Sequence, residues 1–77
     1  MSWNYRVIKR TYDTGETWYQ MHEAYYNNAG EITAITVKSI DPAGMTMDDL
    51  KESLDLMYKA LDKPILEYDN IEYSDWD

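Results

Sequence analysis

The chain has no cysteine, no phenylalanine, a single histidine, two prolines and three glycines, and basic residues are scarce, with seven Lys and Arg against fifteen Asp and Glu. Each shortage removes a class of function. Without cysteine there is no disulfide framework, no thiolate nucleophile and no Cys-based zinc site. The glycines are isolated, so no Gly-rich loop can cradle a phosphate. No segment approaches the roughly 18 consecutive apolar residues of a membrane span, and Met1-Ser2-Trp3-Asn4-Tyr5-Arg6 lacks the apolar stretch of a signal peptide. The expected location is the cytoplasm, with no membrane association. No feature calls for a metal or an organic cofactor.

What remains is 77 residues with a net charge of −8, enough for one small domain that buries about 60% of its unfolded surface. At about 0.05–0.15 kcal/mol per residue, the expected stability is roughly 4–11 kcal/mol. The charge is unevenly placed. Residues 1–40 balance Arg6, Lys9, Arg10 and Lys38 against Asp13, Glu16, Glu23 and Glu31. Residues 41–77 hold eleven carboxylates against Lys51, Lys59 and Lys63, so the whole excess lies there. Direct binding to DNA or RNA phosphates needs a basic stripe that this chain lacks. A basic protein partner remains compatible with the charge, as does a purely solubilising acidic face.

Three strand-like runs, about Trp3–Tyr12, Glu16–Tyr26 and Glu31–Ile40, are rich in Val, Ile, Thr, Tyr and Trp and free of internal Gly or Pro. Asp13-Thr14-Gly15 and Asn28-Ala29-Gly30 separate them. Each fits a three-residue hairpin loop whose last position is left-handed and therefore glycine. Tyr12 then pairs with Glu16 and Asn27 with Glu31, which sets Val7 opposite Met21 and Met21 opposite Val37. One face so defined carries Trp3, Tyr5, Val7, Tyr19, Met21, Tyr25, Ile35 and Val37. It is the more apolar and is assigned to the core. The other carries Arg6, Ile8, Arg10, Trp18, His22, Ala24, Tyr26 and Ile32.

Asp41-Pro42-Ala43-Gly44 ends the third run, and Thr46 then reads as a helix N-cap with Asp49 three residues on. Met47, Leu50, Leu54, Met57 and Leu61 recur at spacings of three and four, one apolar stripe of a helix reaching about Asp62 and closed by Pro64. The fold class is therefore α+β: a three-stranded antiparallel meander followed by one helix packed on one sheet face (β-β-β-α). Ile65 and Leu66 are expected to fold back onto the core, giving a domain over 1–66. Residues 67–77 form an acidic, aromatic C-terminal tail carrying Tyr68, Ile71, Tyr73 and Trp76: a fraying end, an added edge strand or a recognition peptide.

Chemistry finds few candidates. Glu23 follows His22 directly, but neighbours on a strand point to opposite faces, so Glu23 cannot orient the ring. Arg6 and Thr36 flank His22 in this register, and His22 reads as a surface or interface residue. Ser39, Ser53 and Ser74 lack any turn that would activate a nucleophile. Asp48 and Glu52 stand one helical turn apart, too few ligands for a cation site. The chain reads as non-enzymatic, with no catalytic, cofactor-binding or metal-ligating residue.

Ser2-Trp3-Asn4-Tyr5-Arg6-Val7, His22-Glu23-Ala24-Tyr25-Tyr26 and Ala60-Leu61-Asp62-Lys63-Pro64 resemble segments of a group of very short uncharacterised bacterial proteins. The resemblance extends to about Leu66. It implies a free-standing domain and no activity.

The expected function is that of a small interaction protein binding another protein, or itself as a homodimer, through the sheet face opposite the helix. A single helix cannot cover both faces, and a half-apolar exposed face marks a partner. The partner-binding candidates are Arg6, Ile8, Trp18, Tyr26 and Ile32, with Tyr73 and Trp76 from the tail, and Trp18 as the anchor. The tail of a second copy would lie over the Arg6–Arg10 side. If the chain is a monomer, that face belongs to a foreign partner or to the chain's own tail. The rival reading is an acidic nucleic-acid mimic, of bacterial or phage type, that inhibits a nuclease or other defence enzyme. It rests on the carboxylates of residues 41–77, with Lys51 and Lys59 interrupting them.

Overall fold

The computed structural model of the chain describes residues 2–70 and 73–74. Strands β1 (Ser2–Thr11), β2 (Thr17–Tyr26) and β3 (Ile32–Thr36) form the antiparallel meander. Both loops close as their spacing predicts. The Tyr12 amide donates to the Glu16 carbonyl at 2.8 Å and the Asn27 amide to that of Glu31 at 2.9 Å. Gly15 (φ +91°) and Gly30 (φ +79°) take the left-handed positions, where a side chain would be strained. The Asn27 side-chain oxygen accepts from the amides of Ala29 and Glu31, which tightens the second loop.

The β1–β2 register is the expected one, with Val7 opposite Met21 and Arg6 opposite His22. The β2–β3 register departs from it. Ile32 faces Tyr26, but a bulge follows, and Ala34 then faces Tyr25 and Ile35 faces Ala24. One inserted residue reverses every later side chain. Ile35 therefore joins Ile8 and Ala24, not Val7. The expected Met21–Val37 pairing is absent, and the Met21 carbonyl accepts the Ile40 amide at 2.7 Å instead.

Helix α1 (Met47–Ala60) starts where its cap predicts, with the Thr46 hydroxyl accepting from the Asp49 amide at 3.1 Å. Gly44 passes so close to this first turn that an added Cβ would fall 2.6 Å from that of Asp49. The side of α1 that packs corrects the sequence reading. Ser53, Met57 and Ala60 are buried and Leu50 half-buried, whereas Met47, Leu54 and Leu61, expected in the core, are exposed. Ser53 and Ala60, both small, flank Met57 in this buried stripe, and Met47, Leu54 and Leu61 turn away from it. The helix lies against β1, with Leu56 and Lys59 beside Trp3 and Tyr5, on the face to which it was assigned. That face is not the core it was expected to be, since Trp3 and Tyr19 are exposed and Tyr5, Val7, Met21 and Tyr25 only half-buried.

The sheet does not end with the meander. Strand β4 (Leu66–Glu67) pairs in parallel with β1, and β5 (Tyr73–Ser74) in parallel with β3. The order is β4-β1-β2-β3-β5, a mixed sheet and not a purely antiparallel one. Between the two added strands a 3-10 turn (Tyr68–Asn70) crosses the face opposite α1. That face holds the fully buried cluster Ile8, Ala24 and Ile35, flanked by Tyr26, Ile32, Leu66 and Tyr68. The face expected to be open is therefore covered by its own chain. Leu66 folds back as expected, and Ile65 stays half-exposed. No described helix is long and apolar enough to cross a membrane.

Candidate functional site

The seven partner-binding candidates do not form one exposed surface. Ile8 is wholly buried and Arg6 only 8% exposed. The Arg6 guanidinium donates to the Tyr26 hydroxyl (3.0 Å) and to the Pro64 carbonyl (2.7 Å), tying β1 to the segment after α1. Tyr26 in turn donates to the Asn4 side-chain oxygen at 2.8 Å. Ile32 packs half-buried on the core cluster. Of the five candidates in the meander, Trp18 alone is exposed, at the start of β2, beside a shallow groove lined by Tyr12, Thr14, Glu16 and Gln20. Tyr73 belongs to β5, and Trp76 lies outside the described residues.

Arg10, expected to receive the tail of a second copy, is stacked within its own chain. Its guanidinium carbon lies 4.0 Å from the centroid of the Tyr68 ring and 4.7 Å from that of Tyr12, an arrangement favoured by the negative face of each ring. Tyr68 also donates its hydroxyl to the Val37 carbonyl at 3.3 Å.

His22 is not a surface residue but fully buried, with Nδ1 2.9 Å from the Thr36 carbonyl and the ring against Tyr68. Among the described residues no group of three or more His, Asp or Glu side chains is placed to hold a metal ion.

Among the described residues, most of the exposed large apolar side chains lie on or beside α1, with Trp3, Trp18 and Tyr19 exposed on the sheet. Met47 (68% exposed), Leu54 (47%), Tyr58 (73%) and Leu61 (60%) form a ridge beside the packed stripe, about 20 Å long at 1.5 Å per residue. Leu56, on the opposite flank, faces Trp3 and Tyr5 instead. Met45, just before the helix, is almost wholly exposed. Sequence reasoning saw three of these ridge residues and placed them inside. The signal it passed over was the small pair Ser53 and Ala60, seven residues apart, which marks the true line of closest approach.

The ridge is bordered on its solvent side by a second row with the same period. Asp48, Asp55 and Asp62 each follow a ridge residue directly (Met47, Leu54, Leu61), and all three are exposed. Seven-residue spacing keeps such rows side by side on a helix of 3.6 residues per turn, with a drift of about 20° per repeat. An apolar ridge edged by carboxylates can bind an apolar surface whose border is basic. Compared with protein-family models, with curated proteins and with solved structures, the chain shows no significant match to any.

Proposed function

We propose that the protein is a small non-enzymatic interaction protein that binds another protein, or itself, and that the exposed ridge of α1 is the surface it uses. The observation that carries this reading is the exposure of Met47, Leu54, Tyr58 and Leu61 on a helix whose other stripe is already packed. Large apolar side chains gathered in one contiguous patch mark binding surfaces, whereas isolated ones are ordinary. The commitment of His22 to Thr36 and Tyr68 supports a role without catalysis. Trp3, Trp18 and Tyr19 are further accessible aromatics, on the sheet, and Trp18 is a smaller anchor.

The test is capture from the native host with the parent chain and with Leu54→Ser plus Tyr58→Ser, side by side. A partner retained by the parent and lost by the double variant supports the reading. Equal capture by both, together with a monomer at all concentrations in sedimentation, would refute it.

The row Asp48, Asp55, Asp62 favours a second reading, an acidic mimic of nucleic acid that blocks the basic groove of a nuclease or other defence enzyme. Asp48 and Asp55 stand about 10.5 Å apart along the axis, Asp62 follows just past the helix end, and Lys51 and Lys59 lie among them. Mimicry predicts a partner released by salt alone and indifferent to Leu54→Ser, because screened surface charge would hold it.

A further inference from the structure

We infer that the partner seated on the α1 ridge is a basic amphipathic helical segment of another protein, an inference that rests on the interaction reading above and names its partner class. The ridge has the form of one side of a helix pair: Met47, Leu54 and Leu61 recur at seven residues, with Tyr58 between the last two. The sheet occupies the adjoining stripe of Leu50, Ser53, Met57 and Ala60, so α1 has an inner side that completes the fold and an outer side with no partner among the described residues. An apolar ridge of this length accepts a helix of about four turns.

Charge selects the kind of helix. The Asp48, Asp55 and Asp62 row runs along one margin of the ridge with Lys51 and Lys59 interspersed, and with Asp49 and Glu52 the helix and its closing turn stay net acidic. A second copy docked ridge to ridge would bring two such rows together, in a protein whose residues 41–77 already carry a net charge of −8. Like charges across an interface cost several kcal/mol and reject the pairing. A partner helix with Lys or Arg beside its apolar seam meets the same row favourably. Met45 and Met47, both exposed, add adaptable side chains that suit a helix of approximate fit.

The probe is a synthetic Leu/Lys amphipathic peptide of about 14 residues, matched to the ridge length, titrated into the full chain and followed by calorimetry. Two controls accompany it: a scrambled peptide of identical composition, and a Leu/Glu peptide of the same pattern. The expected result is binding at least about tenfold tighter than the scramble, a difference of about 1.4 kcal/mol, and none by the Leu/Glu peptide. Leu54→Ser and Tyr58→Ser should each weaken it about tenfold while the far-UV spectrum and melting cooperativity are kept. Asp55→Lys with Asp62→Lys should weaken it at low salt and far less at about 1 M, where the Debye length is about 3 Å. Equal binding of the scramble, or indifference to both ridge substitutions, overturns the proposal. If the peptide fails but sedimentation shows a dimer that Leu54→Ser abolishes, the basic partner is wrong and the interaction reading stands. Neither peptide binding nor ridge-dependent association overturns both.

Discussion

His22 and Arg6 are the two ionisable side chains among the described residues that are buried in the sheet, and each is committed to a backbone carbonyl. A carbonyl oxygen only accepts, so the contact with Thr36 at 2.9 Å requires the proton on His22 Nδ1. With Tyr68 against the ring and the Thr36 hydroxyl 3.2 Å from Nδ1, the imidazole works as packing material. His22→Ala should therefore cost about 2–4 kcal/mol in urea denaturation, from the cavity and the abandoned carbonyl. It should leave peptide binding at α1 within a few-fold. A loss below about 0.5 kcal/mol would place the ring outside the core. Arg6 makes a different use of burial: its planar fork reaches the Tyr26 hydroxyl and the Pro64 carbonyl at once. A lysine keeps the charge but has no fork. Arg6→Lys is expected to lose about 1–3 kcal/mol by the same measurement; an unchanged midpoint would show that the charge alone suffices there.

The orientation of α1 is decided by its small residues, and this is testable with a pair of opposite substitutions. Ala60 is buried to the last per cent of its surface, so Ala60→Leu should overpack the contact with β1 and cost about 1–3 kcal/mol. Leu54→Ala, mid-stripe by spacing, should cost less than about 1 kcal/mol, because half-exposed positions lose little on truncation. The reverse ranking in denaturation would mean that Leu54, not Ala60, faces the sheet. The same contrast shows which features were legible beforehand. Hairpin loops and the Thr46 cap are local devices whose residue requirements are strict, so both hairpins, the Val7–Met21 register and the helix start could be read directly. The bulge at Tyr25/Tyr26 could not, since no glycine or proline signals it. It is stabilised by what lies across the sheet: a buried place for Ile35, and a hydroxyl contact from Thr33 to the Tyr25 carbonyl at 3.3 Å. The helix rotation escaped because a search for large apolar residues at three-four spacing ignores serine and alanine. That oversight also hid the candidate site, whose residues were counted as core.

At the scale of the molecule, both faces of the sheet are contacted by the same short chain, α1 lying on one side and residues 65–70 on the other. The second cover begins where β4 pairs with Ile8 and Lys9, continues as Tyr68 lies over Arg10 and against His22, and ends where β5 pairs with Ile35 and Thr36. It thus shields both outer strands of the meander, which would otherwise present unpaired amides and carbonyls to another chain. It also lies over the only fully buried aliphatic cluster among the described residues. A boundary after Leu66 would then cut through the structure instead of trimming a tail. Truncation there removes Tyr68 and β5, re-exposes Ile8, Ala24 and Ile35, and takes Arg10 out of its aromatic stack. For a domain with roughly 4–11 kcal/mol in hand, losing a large half-buried aromatic and an edge strand should abolish a cooperative thermal transition, or leave a species that associates through the bared face. The measurement is a melt followed by circular dichroism, with sedimentation alongside. A truncated chain that melts cooperatively within a few degrees of the full one, and stays monomeric, would show that residues 1–66 fold alone and that the crossing segment is dispensable.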